Sequence, residues 1–116
     1  MRFVILMILT MMASTASAQN APAPPRGNAE NGKKIYTTYG CYQCHNYAAN
    51  GGAAGSRLAP RPMPFPAFSR QVRVPRDEMP PYTTKMMTDQ ELADIYAFLL
   101  TIPAAPAVDS IPALKN

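Results

Sequence analysis

Alternating prolines exclude regular structure from the middle of the chain. Pro60, Pro62, Pro64 and Pro66 occupy every second position, and three glycines precede them. Each proline removes a backbone N–H donor and favours polyproline-like extension. Neither a helix nor a central strand is therefore plausible over most of residues 46–66.

A loop of this length is uncommon in a small domain unless it wraps something. The chain has 116 residues, with 13 prolines and no tryptophan, which indicates one small domain rich in loops. Such a domain has a marginal apolar core of its own, so a large apolar cofactor would complete it. The net charge of +4 is a mild excess that does not indicate a nucleic-acid partner, and we expect none.

A short motif directly before this loop suggests what it wraps. Cys41 and Cys44 are three residues apart, and His45 follows the second thiol. This is the spacing of c-type haem attachment. Each thiol can add to a porphyrin vinyl group to form a thioether, and the histidine can reach the iron from the proximal side. The motif predicts one covalent haem c, attached through Cys41 and Cys44 with His45 as an iron ligand.

Three other interpretations of the motif remain open at this point. The two cysteines could form a disulfide in an oxidising compartment. They could form a thioredoxin-like redox pair, which needs a βαβ setting that this Gly- and Pro-rich sequence does not offer. A structural zinc site usually takes four Cys and His ligands, and the chain has two cysteines and one histidine.

The first 18 residues have the organisation of a secretory signal. Arg2 supplies a positive start, residues 3–12 are apolar, and Ala16-Ser17-Ala18 is a small-residue cleavage site. An apolar run of about ten residues is shorter than the ~20 that a membrane-spanning helix needs. We therefore expect export, cleavage after Ala18 and no stable membrane insertion afterwards.

The remainder divides into three parts. Residues 19–27 have three prolines and no apolar period, which predicts an extended tether. Residues 28–102 are expected to form the folded domain. Residues 103–116 are rich in alanine and proline and are expected to form a loosely held tail.

The folded domain is predicted to begin with a helix from Ala29 to Tyr39, ending at Gly40. Asn28 can cap it, and Glu30 lies in the first turn, where the helix dipole favours an anion. Gly32 would let another helix approach closely.

Two further helices are predicted after the loop. Pro66 suits the first position of a short helix that Pro75 stops. Its expected apolar face is Phe65, Phe68 and Val72, with Arg70 and Arg73 pointing outward. The last helix begins with the capping box Thr88-Asp89-Gln90-Glu91 and ends before Pro103. Its expected apolar stripe is Leu92, Ile95, Tyr96 and Leu99.

With these elements in order, the sequence resembles the class I cytochrome c family, the small soluble single-haem electron carriers. The resemblance covers residues 28–102: a helix leading into Cys-x-x-Cys-His, a wrapping loop, a Phe-x-x-x-Val-Arg helix, Met-Pro-Pro-Tyr, and a terminal helix containing an aromatic residue. It implies an all-α, cytochrome c-like fold in which three to four short helices and long Pro/Gly-rich loops wrap one covalently bound haem.

The resemblance also implies roles for particular residues. Cys41 and Cys44 would be the thioether positions, His45 the proximal ligand and Met79 the distal ligand. Pro60 would offer its backbone carbonyl to the His45 imidazole. The residues implied at the crossing of the first and last helices are Gly32, Tyr36 and Tyr96.

A polypeptide that fills both axial positions of the iron leaves one-electron transfer as its chemistry. The resemblance therefore implies a periplasmic electron carrier, or the cytochrome c subunit that accepts electrons from a dehydrogenase, rather than an enzyme. Its expected partners are a dehydrogenase as donor and an oxidase or another cytochrome as acceptor. The candidate collar of cations for an acidic partner is Arg70, Arg73, Arg76 and Lys85.

A different class of function follows if Met79 does not bind iron. The protein would then be an open-site haem enzyme or a gas-binding protein, similar to a peroxidase. The chain has no second histidine to replace Met79 as a ligand. The methionines to consider instead are Met63, Met86 and Met87.

Overall fold

The computed structural model describes residues 25–114. The predicted signal segment and the start of the tether lie outside the described residues. Within residues 25–114 there are four α-helices and no strand, which confirms the all-α class. They are α1 (Ala29–Thr38), α2 (Cys41–His45), α3 (Phe65–Arg73) and α4 (Asp89–Thr101), followed by two single-turn 3₁₀ helices, Val108–Ser110 and Pro112–Leu114.

The two longest helices begin at the predicted caps. The Asn28 side chain accepts a hydrogen bond from the Asn31 N–H at 3.0 Å, which starts α1. At α4 the Thr88 side chain accepts from the Glu91 N–H at 3.1 Å, and the Glu91 carboxylate accepts from the Thr88 N–H at 2.7 Å. The reciprocal capping box predicted from the sequence is therefore present.

Helices α1 and α4 cross in close contact. A Cβ atom at Gly32 would overlap the backbone carbonyl of Asp94, so only glycine fits there. Nearby, the Tyr36 ring of α1 packs against Phe98 of α4, with ring centroids 5.5 Å apart. The sequence prediction for Gly32 and Tyr36 at this crossing is confirmed.

Tyr96, the third residue implied at the crossing, packs elsewhere. Its ring lies against Phe65 and Phe68 of α3, with centroids 5.2 and 5.3 Å apart, and its hydroxyl donates to the Met63 carbonyl at 3.2 Å. Positions 96 and 98 are about 200° apart around a helix, so one faces α3 and the other faces α1. Phe98 is the aromatic residue of α4 at the crossing, and it was missed.

The core lies where these helices and the central loop meet. Its buried apolar members are Ile35, Tyr36, Ala49, Ala59, Phe68, Val72, Met87, Leu92, Ile95, Phe98 and Leu99. Helix α4 contributes more of its surface than the predicted stripe, because Ala93 and Asp94 are buried as well. No helix within residues 25–114 is both long and apolar enough to cross a bilayer.

The described part of the tether contacts α4. Gln90 donates through Nε2 to the Arg26 carbonyl at 2.8 Å, and a Cβ at Gly27 would overlap the Ala93 carbonyl. Contacts with the folded domain thus begin at Arg26, two residues before the predicted boundary at residue 28.

The prediction that Arg73 points outward is wrong. Arg70 is exposed, but the Arg73 guanidinium donates to the carbonyls of Tyr82 and Met87 and to the Asp89 carboxylate. Arg73 is the last residue of α3, where the side chain can reach the segment that returns toward α4. This contact depends on tertiary structure, so the helical spacing of Arg73 could not reveal it.

Candidate functional site

The two thiols lie on the short helix α2, immediately after α1. Gly40 links these helices in the left-handed conformation, with φ of 75°, which glycine adopts readily. Its N–H donates to the Thr37 carbonyl at 3.1 Å, and its carbonyl accepts from the Gln43 N–H at 3.0 Å. The turn leaves Cys41 half-buried and Cys44 exposed, and both thiols are free.

The environment of Cys41 differs from that of a redox-active cysteine. Burial, reinforced by the nearby Cys44 thiol, raises the pKa of Cys41 to about 11. Cys-x-x-Cys redox pairs instead have an attacking thiol whose pKa is lowered. Together with the absence of strands in residues 25–114, this argues against the thioredoxin-like interpretation.

His45 ends α2 and is held by the loop that follows. Its ring is buried, and Nδ1 lies 2.7 Å from the backbone carbonyl oxygen of Ser56. A carbonyl oxygen can only accept, so Nδ1 carries a proton, and in the neutral imidazole Nε2 then carries the lone pair. This leaves Nε2 available as a metal ligand. Hydrogen bonding of a ligating histidine through its other nitrogen is typical of metal sites in proteins.

The prediction that Pro60 supplies this carbonyl is wrong, because the loop reaches the ring earlier. The Gly51 N–H donates to the His45 carbonyl at 3.1 Å, and the Gly52 N–H donates to the Gly55 carbonyl at 2.9 Å. A Cβ at Gly55 would lie 2.7 Å from the Cys44 carbonyl oxygen and 2.9 Å from His45 Nδ1. Glycine at position 55 therefore allows the close approach that brings the Ser56 carbonyl to the ring.

The far side of the same loop is fixed to the core through Ala49. This residue is fully buried, and its carbonyl accepts from the N–H groups of Leu58 and Ala59 at 2.8 and 2.9 Å. At the start of the loop, the Tyr36 hydroxyl donates to the Asn46 carbonyl at 2.8 Å. The loop around His45 is thus anchored both to its own backbone and to α1.

Tyr82, which follows Met79 in the chain, lies beside the two thiols. The Tyr82 pKa is raised by burial and by the electrostatic influence of both Cys41 and Cys44, which places this ring beside α2. Its hydroxyl donates to the Tyr39 carbonyl at 3.0 Å. Met79, three residues earlier, is partly buried and packs against the core cluster.

The other candidate methionines have different environments. Met63 and Met86 are 44% and 56% exposed, respectively, whereas Met87 is 1% exposed and lies within the protein core. Met79 alone among the four is partly exposed at the edge of the core.

Two features of the site had weak or no signals in the sequence. Gly55 belongs to a cluster of three glycines, which marked a tight loop without showing what it approached. Ser56 contributes a backbone carbonyl, so its side chain carries no signal at all.

The residues around α2 fit a covalently attached haem. Two free thiols are spaced on one helix, and the adjacent imidazole presents an unprotonated Nε2. Among residues 25–114, no three His, Cys, Asp or Glu side chains converge in a way that could hold a metal ion by themselves. The donor set fits a haem attachment motif, whereas a structural zinc site usually takes four Cys and His ligands.

Comparison with known proteins supports this interpretation. Residues 27–99 match the family described as cytochrome c oxidase, cbb3-type, subunit III. No curated protein and no solved structure matches the chain significantly.

Proposed function

Because the chain belongs to the c-type cytochrome family described as cytochrome c oxidase, cbb3-type, subunit III, we propose that it is a periplasmic carrier of single electrons. It is a small c-type cytochrome with a cytochrome c-like fold, and domains of this kind transfer electrons through haem. Haem c, when bound, supplies one-electron exchange between ferric and ferrous iron. The observation that carries the proposal is the hydrogen bond from His45 Nδ1 to the Ser56 carbonyl, directly beside the two thiols.

Cys41 and Cys44 are the proposed attachment residues. Helix α2 presents them one turn apart, and the half-buried Cys41 lies beside Tyr36 and Tyr82, whose pKa values respond to it. Thioethers at these positions would join the cofactor to the apolar core, which a loop-rich chain of this size needs in order to fold.

His45 is the proposed proximal ligand. The Ser56 carbonyl fixes the proton on Nδ1 and orients the ring. A hydrogen bond donated by Nδ1 also raises the basicity of Nε2 and so strengthens it as a ligand. Ring burial and the anchored loop restrict access of water to this side.

Met79 is the proposed second residue that would bind the iron. Its support is its partial burial at the edge of the core and its position three residues before Tyr82, which lies beside both thiols. With His45 and Met79 both bound, no position remains open for a substrate. A thioether ligand also raises the potential relative to two nitrogen ligands, because soft sulfur favours ferrous iron.

The proposed partners are redox proteins, with a dehydrogenase as electron donor and an oxidase or another cytochrome as acceptor. The protein would act after export, with its signal segment removed after Ala18. It serves either as a free carrier or as the cytochrome subunit of such a dehydrogenase.

Met79→Ala and Met63→Leu together test the ligand assignment. We expect Met79→Ala to give a high-spin protein that binds carbon monoxide and has a lower potential. Met63→Leu, a near-isosteric change at an exposed position, should alter neither property. A spectral change in the Met63 variant without one in the Met79 variant would overturn the assignment. Carbon monoxide binding by the unaltered protein would instead favour an open-site haem protein.

A further inference from the structure

Arg73 connects the segment after Met79 to the end of α3. Its Nη1 donates to the carbonyl oxygens of Tyr82 and Met87, at 2.8 and 2.7 Å, and its Nη2 donates to Asp89 Oδ1 at 2.7 Å. The Arg73 side chain is only 15% exposed, whereas Asp89 is 76% exposed. Hydrogen bonds from an ionised, largely buried donor are stronger than those of a surface ion pair. The bonds to the two carbonyls are therefore the important ones.

Tyr82 is held by three separate hydrogen bonds. Its N–H donates to the Val72 carbonyl at 3.0 Å, and its own carbonyl accepts from Arg73. Its hydroxyl donates to the Tyr39 carbonyl at the end of α1. Two of these bonds come from consecutive residues at the end of α3. Tyr82 is therefore fixed relative to both α1 and α3.

Residues 74–81, which we call the Met79 loop, lie between α3 and this fixed point. The loop starts where the Val74 N–H donates to the Arg70 carbonyl at 2.8 Å, and it ends at Tyr82, whose N–H bonds back to α3. Prolines at positions 75, 80 and 81 fix φ, and Asp77 adopts a left-handed φ of 61°. Because the loop is short and stiff, the placement of its base determines where Met79 lies.

We propose that Arg73 is a positioning residue for Met79. It holds the base of the Met79 loop, so that the Met79 thioether would stay where it can bind the haem iron. This inference rests on the proposed function, in which Met79 is that ligand. An arginine is required because one planar guanidinium can donate to two carbonyls and a carboxylate at once, which a lysine ammonium on a flexible stem does poorly.

Arg73→Lys tests the proposal, with Arg70→Lys as the matched control. Arg70 lies in the same helix and is exposed. We expect the fraction of ferrous Arg73→Lys protein that binds carbon monoxide to rise about tenfold, since charge-assisted hydrogen bonds are lost. The long-wavelength absorption of sulfur-bound ferric iron should weaken and the potential should fall. Arg70→Lys, which keeps the positive charge, should match the unaltered protein in carbon monoxide binding, long-wavelength absorption and potential.

Hydrogen exchange provides a readout that is independent of the iron. In the haem-loaded Arg73→Lys protein, the amides of the Met79 loop and Tyr82 should exchange faster, while those of α1 and α4 should not. Equal behaviour of the Arg73 and Arg70 variants, in exchange and in carbon monoxide binding, would overturn the proposal.

Two further variants show whether the ligand assignment of Met79 or the role of Arg73 has failed. If Met79→Ala leaves the protein insensitive to carbon monoxide, the ligand assignment fails and the role of Arg73 fails with it. If Met79→Ala opens the site while Arg73→Lys does not, only the role of Arg73 is overturned. Should Arg73→Lys fold poorly, Asp89→Ala removes the carboxylate that accepts the outermost bond and should increase carbon monoxide binding by roughly two- to fivefold. No increase in that variant would also count against Arg73.

Discussion

Gly32 of α1 lies directly against the backbone carbonyl of Asp94 in α4, at a separation that leaves no room for a Cβ atom. The two helices can therefore pack backbone to backbone at this point. The contact fixes how the chain entering α2 is placed relative to α4, and so fixes where the attachment motif begins. Gly32 thus contributes to the placement of the attachment motif relative to α4.

Gly32→Ala should destabilise the protein by roughly 1–3 kcal/mol or more, because the added methyl group forces the two helices apart. Lys33→Ala changes the neighbouring exposed residue and should have little effect. Denaturant unfolding of the two haem-loaded variants measures the difference. Equal midpoints for both would mean that the helices are not packed as closely as described.

Asp94 is a buried carboxylate at the same crossing, with a 4% exposed side chain. It accepts from the Asn28 N–H at 2.7 Å, from Asn31 Nδ2 at 2.7 Å and from Gln90 Nε2 at 2.9 Å. Burial alone would raise its pKa, but these three donors outweigh burial and hold the pKa below its usual 3.8. The carboxylate ties the start of α1 to α4.

Asp94→Asn should therefore cost roughly 1.5–3 kcal/mol at neutral pH, since an amide cannot accept all three bonds. A lowered folded-state pKa contributes stability that is complete above the unfolded-state pKa and is lost as pH falls through the folded-state value. The difference between the two proteins should thus be constant above about pH 5 and shrink below about pH 4. Measuring the free energy of unfolding of both proteins across this pH range tests the prediction. Asp109→Asn, a change at an exposed position, is the control. A difference in free energy of unfolding that grows as the pH falls would contradict the lowered pKa of Asp94.

Gly55→Ala should disturb the proximal side of the site, whereas Ser56→Ala should not. A methyl group at position 55 would press on the Cys44 carbonyl and on the His45 ring, while Ser56 contributes only its backbone carbonyl. Losing the hydrogen bond at Nδ1 makes the imidazole a weaker donor to ferric iron, so the potential should rise. Stability should fall by roughly 1–3 kcal/mol. Potentiometric titration of both variants measures the change, and equal potentials would mean that the Ser56 contact is unimportant.

Signals local in sequence predicted the fold well. The caps at Asn28 and Thr88, the glycine at position 32 and the motif at residues 41–45 each depend on a few adjacent residues, and each is found as predicted or fits its expected role. What could not be predicted depends on tertiary contact. Asp94 has the spacing of a surface residue until two donors from the start of α1, Asn28 and Asn31, join Gln90 of its own helix around the carboxylate.

The same limit applies to the site. The helix position of Arg73, next to an apolar face, predicts a solvated side chain, yet a returning segment covers it. The carbonyl beside His45 was assigned to Pro60 by resemblance, but the glycines at 51, 52 and 55 bring the loop to the ring sooner. Neither the length of a loop nor its glycine content shows which backbone atom will contact a given side chain.

The burial of Arg73 also changes the predicted cationic collar. Arg73 is paired with Asp89, so the exposed cations of the collar are Arg70, Arg76 and Lys85. Oxidation of the ferrous protein by anionic ferricyanide should slow as ionic strength rises, because screening weakens the attraction. A cationic cobalt complex should show the opposite trend. Replacing Arg70 and Arg76 with glutamine should flatten the ferricyanide dependence, and an unchanged slope would mean that these cations do not steer partners.

The absorption spectrum of the exported protein, recorded oxidised, reduced and reduced under carbon monoxide, tests most directly whether this chain is an electron-carrying cytochrome. We predict one haem per chain that stays with the polypeptide after denaturation, and a six-coordinate low-spin spectrum that carbon monoxide does not alter. Replacing Cys41 and Cys44 with alanine should abolish covalent retention. Haem that is extracted from the unaltered protein by denaturation, or a high-spin spectrum that changes with carbon monoxide, would contradict the proposed carrier.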